Sequence, residues 1–144
     1  MSHLPLIIGH RGASAIAPEN TLAAVARAIQ DGADGIEFDV RLSQDGVPVV
    51  IHDATLGRTG LIDGVVDQLS AEVLGKTDVG SWFSKRSNTD EHFSNEKVPS
   101  LQQVFDLFAE SEALLYLEMK SQGGNGDRLA AVVASAINKN ALSE

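Results

Sequence analysis

The sequence lacks cysteine altogether, which excludes disulfide bonds, thiolate nucleophiles and cysteine-ligated metals from its 144 residues. Aromatic residues are few, at 5% of the chain, so a hydrophobic core must be built mainly from Leu, Val, Ile and Ala. That composition is typical of helices packed on strands. Hydrophobic residues make up 43% of the chain, which is enough to fill the core of one domain.

Positive charge is scarce as well. Lys and Arg number 11 against 20 Asp and Glu, without a basic cluster, so we expect neither nucleic acid nor an anionic membrane surface as a partner. No apolar run approaches the roughly 20 residues needed to span a bilayer. Residues 1–5 lack the basic and apolar regions of a signal peptide. These absences favour a soluble, cytoplasmic protein.

The first forty residues predict a right-handed, parallel β-α-β unit. The apolar run at residues 6–9 predicts a buried strand, which ends at His10 and Arg11. Asn20 or Thr21 is the candidate N-cap of the helix that follows. The first strand therefore ends with a histidine and an arginine at its carboxyl end.

The second strand is predicted where apolar and acidic residues alternate. Ile36, Phe38 and Val40 would share one face. Glu37 and Asp39 would share the other face, where two neighbouring carboxylates repel each other and resist burial unless something compensates them. The strand is therefore either an ordinary one with a polar outer face or one whose acidic face meets a cation.

A hairpin is predicted directly after this strand. Asp45-Gly46 is typical of a tight turn, and the strand predicted at residues 47–51 follows too soon for a parallel crossover, which takes about a dozen residues or more. A parallel return without a helix is the alternative. In both geometries His52 lies near the two carboxylates.

Residues 54–98 are rich in turns, and a connection this long predicts a functional segment or a small subdomain. Within it, Ser70 is a candidate cap for a short helix at residues 71–74. We interpret Trp82 and Phe83 as the local hydrophobic anchor of this segment and not as ligand-stacking residues.

Regular structure is predicted again after the insertion. Ser100 begins a capping-box motif and therefore a helix. Residues 114–120 alternate as a strand, with Glu118 and Lys120 on one face. Asp127 is the candidate N-cap of a last helix, which extends to about residue 139.

Polar residues collect at the carboxyl ends of these strands, the rim at which parallel α/β sheets bind ligands. They are His10, Arg11, Glu37, Asp39, His52, Asp53, Glu118 and Lys120. Three carboxylates form an all-oxygen ligand set that suits Mg²⁺ or Ca²⁺. Two histidines can serve as general acid and base, and arginine and lysine are the donors that an anionic group such as phosphate requires.

Each of these residues also has a structural interpretation. A lone histidine at a strand end is more often a hydrogen-bonded structural residue, Glu118 and Lys120 can form a surface ion pair, and Asp53 can be a turn residue. What favours a functional site is that three separate strands end in the residue types of a metal-assisted phosphoryl site. His3 and His92 lie in a tail and a polar loop and receive no role.

Seven segments resemble the glycerophosphodiester phosphodiesterase family. They are residues 9–13 (GHRGA), 17–21 (APENT), 35–40 (GIEFDV), 45–53 (DGVPVVIHD), 80–83 (GSWF), 98–101 (VPSL) and 117–120 (LEMK). The first four together are highly specific. The resemblance implies an α/β fold, a TIM (β/α)8 barrel of the phospholipase-C-like phosphodiesterase type.

The resemblance also implies roles for most of the rim residues. His10 and His52 would be the acid–base pair. Glu37, Asp39 and Glu118 would be the ligands of a divalent cation, Mg²⁺ or Ca²⁺, and Arg11 and Lys120 the contacts to the substrate phosphate. Glu19, which lies in one of the matching segments, and Asp53 are candidate supporting residues to which the resemblance assigns no role. The implied reaction is metal-dependent hydrolysis of a small glycerophosphodiester to sn-glycerol 3-phosphate and an alcohol. The alternatives are a related phosphodiesterase of the sphingomyelinase D or phosphatidylinositol phospholipase C type, and a non-catalytic half-barrel that binds a partner or a cation.

This chain differs from the family in its length. A (β/α)8 barrel typically takes about 250 residues, with roughly 200 as a floor, whereas this chain supplies four strands and three main helices. The resemblance therefore implies that residues 1–144 are the N-terminal half of one catalytic domain, with a small insertion at about 54–98. An open half-barrel exposes sheet edges and is prone to associate. We expect either a truncated enzyme that lacks its C-terminal half or a homo-oligomer of halves.

Overall fold

The computed structural model describes residues 4–87, 92–109 and 111–140. His3 therefore lies outside the described residues, as does part of the polar run near His92. The elements in chain order are β1 (Ile8–His10), α1 (Leu22–Gln30), β2 (Gly35–Leu42), β3 (Pro48–Val50), a 3-10 turn (Val66–Gln68), α2 (Ala71–Leu74), α3 (Ser81–Arg86), α4 (Leu101–Phe108), β4 (Leu114–Met119) and α5 (Gly126–Lys139). Among these residues, no helix is long and apolar enough to cross a membrane.

Strand β2 is the centre of a four-stranded open sheet and pairs with all three other strands. It runs parallel to β1, with Gly9 beside Ile36, and parallel to β4, with Asp39 beside Glu118. It runs antiparallel to β3, with Val40 beside Val50. The parallel pairing of β1 and β2 confirms the β-α-β unit, and the antiparallel pairing of β2 and β3 confirms the hairpin. The connection between β2 and β3 is too short for a parallel crossover.

The apolar face of β2 forms the main core with the long helices. Ile36, Phe38 and Val40 are fully buried. They pack in one cluster with residues of α1, α4 and α5, which are Val25, Ala28, Leu101, Val104, Phe105, Phe108, Leu129 and Val133. This packing leaves the acidic face of β2 on the other side of the sheet, as alternation requires.

The insertion has a small hydrophobic core of its own. This cluster includes Leu56, Val66 and Leu74. It also includes Ile51, which directly follows β3, so the insertion is packed against the end of that strand. Ser70 caps α2 as predicted, because its side chain accepts a hydrogen bond from the Val73 amide. The insertion is therefore a packed subdomain that rests beside the sheet.

Two predicted boundaries are wrong. Asp127 does not cap α5; the helix begins at Gly126 after Asn125. The reason is that Gly123 and Gly124 adopt positive φ angles of 58° and 82° and turn the chain early. Asp127 instead lies in the first turn, where the helix dipole favours a carboxylate. The first strand begins at Ile8 and not at residue 6, and it is only half-buried.

Candidate active site

Three carboxylates meet on the polar face of the sheet. Glu37 and Asp39 project from β2, and Glu118 projects from β4, where it is the register partner of Asp39. One oxygen from each group lies within 4.8 Å of the others. Parallel pairing thus joins the acidic pair of one strand to a third carboxylate from residues far along the chain.

Asp39 is the buried member of this group, with its side chain only 1% exposed. The positive charges of Arg11 and Lys120 compensate it, with Arg11 Nε 3.2 Å from Oδ2 and Lys120 Nζ 3.4 Å from Oδ1. Asn20 donates a hydrogen bond of 2.8 Å from Nδ2 to Oδ2. These partners meet the energetic requirement for burying a charge, which is compensation by opposite charge and hydrogen bonds.

The carboxylate group fits a hard divalent cation. Asp39 Oδ1 is buried and accepts no hydrogen bond of good geometry, since Lys120 Nζ lies 3.4 Å away, so this oxygen keeps a lone pair for a cation. Glu37 is 19% exposed and Glu118 is 55% exposed, which leaves the open side of the cluster accessible. Oxygen-only donors of this kind are what Mg²⁺ and Ca²⁺ prefer.

Glu118 and Lys120 do form an ion pair, as the structural interpretation expected. Lys120 Nζ donates to Glu118 Oε1 over 2.6 Å. This bond, with a smaller contribution from the charge of His52, lowers the pKa of Glu118, and it raises the pKa of Lys120. Because the same ammonium also lies near Asp39, the pair borders the carboxylate cluster and is not an isolated surface contact.

The loop after β1 brings His10 and Arg11 to the cluster. The Arg11 amide donates to the Glu37 carbonyl over 2.8 Å and lies 3.1 Å from Glu37 Oε2. His10 Nε2 lies 3.7 Å from the same Oε2, and the His10 side chain is 68% exposed. The imidazole is therefore beside the carboxylates and open to a ligand.

His52 follows β3 and is joined to Asp53. His52 Nδ1 lies 2.7 Å from Asp53 Oδ1. Hydrogen bonds from Arg58, which outweigh partial burial, lower the pKa of Asp53 to about 2. Since an ionised carboxylate can only accept, Nδ1 must be the donor, and Nε2 remains for proton transfer.

Glu19 links the two loops that carry the histidines. It accepts hydrogen bonds from Arg11 Nη1 at 3.0 Å and from Arg58 Nη1 and Nη2 at 2.8 and 2.7 Å. Burial raises the pKa of Glu19, but the bonds and charges of Arg58 and Arg11 outweigh it and leave that pKa below its ordinary value. Both candidate supporting residues, Glu19 and Asp53, thus contact the guanidinium of Arg58.

The sequence reasoning missed three residues of this site. Asn20, considered only as a helix cap, adopts a φ of +58° and holds Asp39. Arg41 donates from Nε to the His52 carbonyl over 2.8 Å, and its place two residues after Asp39 on β2 could have revealed it. Arg58 lies in a turn-rich loop, where no local pattern points to it.

A pocket of about 430 Å³ opens beside His10 and Arg11. Its other wall comes from the insertion, with Trp82 and Arg86 of α3 among its lining residues. Phe83 is buried and meets Trp82 edge-on at 5.7 Å, whereas Trp82 is half-buried and lines the pocket, so the interpretation of this pair as a hydrophobic anchor stays a prediction. The volume is within the range of small-molecule sites.

Comparison with known proteins gives consistent matches. A model of the glycerophosphoryl diester phosphodiesterase family matches residues 10–141. A glycerophosphodiester phosphodiesterase of Caldanaerobacter subterraneus is 45% identical over 116 residues, covering 81% of this chain and 45% of that protein. The chain therefore spans about half the length of the curated relatives it matches.

Solved structures match over a similar share. An Oleispira antarctica phosphodiesterase in complex with the product sn-glycerol-3-phosphate aligns with a TM-score of 0.86 and 34% identity, covering 95% of this chain and 53% of that one. A glycerophosphodiester phosphodiesterase from Agrobacterium tumefaciens aligns with a TM-score of 0.81 and 38% identity, covering 96% and 54%. These likenesses confirm the predicted fold class: α/β, with part of a TIM barrel.

Proposed function

The chain belongs to the glycerophosphoryl diester phosphodiesterase family, and we propose that the protein containing it hydrolyses a glycerophosphodiester to sn-glycerol 3-phosphate and an alcohol. The observation that carries this proposal is the cluster of three carboxylates inside the matched residues, with His10 3.7 Å from Glu37 and with the charge of His52 acting on Glu118. In this proposal residues 1–144 are the N-terminal half of one catalytic domain, with an insertion at about 54–98.

Glu37, Asp39 and Glu118 would hold a divalent cation, Mg²⁺ or Ca²⁺. Support comes from the proximity of their oxygens, within 4.8 Å, and from the lone pair that the buried Asp39 Oδ1 keeps for a cation. When bound, such a cation supplies Lewis-acid stabilisation of the negative charge that grows on the phosphoryl oxygens.

His10 and His52 would share the proton transfers. One imidazole takes the proton from the attacking group, which is water or the glycerol 2-hydroxyl, and the other gives a proton to the departing alkoxide. Attack by water gives sn-glycerol 3-phosphate directly, whereas attack by the 2-hydroxyl gives a cyclic phosphate that water opens in a second step. The Asp53 carboxylate, 2.7 Å from His52 Nδ1, supports this assignment because it holds the imidazole with Nε2 available.

Arg11 and Lys120 would contact the phosphate of the substrate. Both cations border the carboxylate cluster, at 3.2 and 3.4 Å from Asp39 oxygens. Arginine and lysine both bind phosphate oxygens, the first through a planar fork and the second as a point charge. They would also offset the repulsion between an anionic substrate and the three acidic groups.

The test uses the full-length protein and measures sn-glycerol 3-phosphate released from glycerophosphocholine. His10→Ala and His52→Ala should each lower kcat by about 10²–10⁴-fold if the imidazoles act as general acid and base. His92→Ala is the matched control, because His92 is an exposed loop residue, and it should keep wild-type turnover. EDTA should abolish activity, and adding back Mg²⁺ or Ca²⁺ identifies the ion.

Near-normal turnover of either site variant would overturn the histidine assignment. Cleavage of intact sphingomyelin or phosphatidylinositol in preference to deacylated diesters would indicate a related phosphodiesterase instead. Cation binding without cleavage of any diester by the full-length protein would contradict the proposed activity.

A further inference from the structure

Hydrogen bonds and one buried side chain hold the backbone of the turn that carries Arg58. The Gly60 amide donates to the Leu56 carbonyl over 2.7 Å, and the Leu56 amide donates to the Gly64 carbonyl over 3.0 Å. The Leu56 side chain is fully buried in the core of the insertion. The backbone that carries Arg58 is therefore fixed by hydrogen bonds and by an apolar anchor.

The guanidinium of Arg58 engages two carboxylates at once. Nε donates to Asp53 Oδ2 over 2.7 Å, and Nη2 lies 3.1 Å from Asp53 Oδ1. Nη1 and Nη2 donate to Glu19 over 2.8 and 2.7 Å. The Trp82 ring covers the guanidinium at 5.8 Å, within the range of a cation–π contact.

Asp53 alone would not fix the orientation of His52. Asp53 follows the end of β3 in a bend, and its side chain is 25% exposed, so its carboxylate could rotate toward water. The two-point contact with Arg58 sets the carboxylate plane, which leaves Oδ1 beside His52 Nδ1 at 2.7 Å. The planar fork of arginine makes this possible, whereas an ammonium is a point charge.

We propose that Arg58 is a positioning residue: it holds the Asp53 carboxylate, which in turn fixes the imidazole of His52 with its proton on Nδ1. Arg58 thereby joins the insertion to the proton-transfer step through Asp53. Glu19 anchors the far side of the guanidinium. The inference rests on the proposed function for its kinetic consequence, but the orientation of His52 is a property of the protein itself.

The test compares Arg58→Gln, Arg58→Lys and wild type in the full-length protein. The ¹⁵N shifts of the His52 imidazole at about pH 9, where histidine is ordinarily neutral, report which ring nitrogen carries the proton. Wild type should hold the Nδ1–H form, and Arg58→Gln should populate the Nε2–H form. The kcat of Arg58→Gln should fall by about 10–100-fold, the loss that is typical when a partner that orients a metal-ligating side chain is removed, with KM unchanged.

The controls separate positioning from stability. Arg27→Gln removes another arginine from an ion pair, the one between Arg27 of α1 and Asp31 at its C-cap, and should change neither the His52 tautomer nor kcat. Arg58→Lys keeps the charge without the fork and should lie between wild type and Arg58→Gln; it also carries the test if the glutamine variant does not fold. In the double variant Asp53→Asn with Arg58→Gln, kcat should fall no further than in Asp53→Asn alone, because Arg58 acts on His52 only through Asp53.

A wild-type tautomer together with wild-type kcat in Arg58→Gln would overturn the inference, as would losses that multiply in the double variant. If the wild-type protein cleaves no diester, the proposed function fails while the tautomer measurement still decides the role of Arg58.

Discussion

At the scale of single residues, the ionised side chains of the site depend on partners from distant parts of the sequence. Asp39 lies in a strand whose neighbours are fully buried, and it is itself buried. Its compensating cations, Arg11 and Lys120, come from the loop after β1 and the end of β4. Removal of any one member changes the charge compensation of the others, so the site's residues are coupled and not independent.

Asp53 should make stability depend on acid pH. Its pKa in the folded protein is lowered from 3.8 to about 2. A lowered pKa means that the ionised form stabilises the fold above about pH 4, and that this contribution is lost as the pH falls toward about 2. At pH 5 we expect the free energy of unfolding of wild type to exceed that of Asp53→Asn by about 1–2 kcal/mol, a value that allows for the partial exposure of Asp53. Urea unfolding measures the difference, which should shrink as the pH falls toward 2.

The Arg58→Gln background is the control for this prediction, because Arg58 is the first cause of the lowered pKa of Asp53. In that background the effect of Asp53→Asn on the free energy of unfolding should be smaller and should depend less on pH. An effect that stays constant from pH 5 to pH 2 in the wild-type background would contradict the expectation.

At the scale of elements, the loop after β1 and helix α1 approach unusually closely. The Ala13 amide donates to the Ala24 carbonyl over 2.8 Å. A Cβ on Gly12 would lie 2.5 Å from the Ala24 carbonyl carbon, and Gly12 has a φ of +81°. This contact sets the position of Arg11, the residue before it, so the glycine is required both by its backbone conformation and by space.

Gly12→Ala should therefore cost more than Gly32→Ala. Gly32 has nearly the same φ, +80°, but a Cβ on Gly32 would meet nothing within 4 Å. Strain alone should cost about 1–2 kcal/mol at both sites, and overpacking should add about 1–3 kcal/mol at Gly12. The free energy of unfolding in urea measures both. If both variants lost the same free energy of unfolding, the loop after β1 would have moved away from α1 at no cost in stability.

Local signals predict several of these elements correctly. Ser100 and Gln103 form both bonds of a capping box at the start of α4, and Asp45-Gly46 turns the β2–β3 hairpin with Gly46 at a φ of +79°. The early start of α5 escapes such signals, because Asp127 matches the pattern of a cap while the turn at Gly123 and Gly124 begins the helix at Gly126.

At the scale of the whole molecule, the described sheet has two open edges. Strands β1 and β4 each pair with β2 alone. Large apolar side chains are exposed nearby, with Ile7 at 67% and Tyr116 at 45%. Unpaired strand edges beside exposed apolar groups favour association with another chain.

The 144-residue chain produced alone should therefore self-associate at micromolar concentrations. Ile7→Lys combined with Tyr116→Lys should reduce the association, because a charge near an edge opposes strand pairing. Ile62→Lys combined with Val73→Lys is the matched control, since these residues are exposed to a similar extent, 50% and 47%, but lie in the insertion. Sedimentation velocity measures the change. An equal effect of both pairs would point to general hydrophobic aggregation, and a monomeric chain would contradict the expectation.

The sequence by itself determined the elements and the faces of the strands, because alternation, caps and turn residues act between neighbours in the chain. From these patterns Glu37 and Asp39 could be assigned to one face, and Ile36, Phe38 and Val40 to the other. Only the tertiary structure decided which charges meet. The register of β4 against β2 sets Glu118 beside Asp39, and the packing of the insertion brings Arg58 to Asp53 and Glu19. The Asp39–Glu118 and Glu19–Arg58 contacts join residues far apart in the chain, for which no local pattern exists, whereas Asp53 and Arg58 are five residues apart in a loop whose course the packing of the insertion sets.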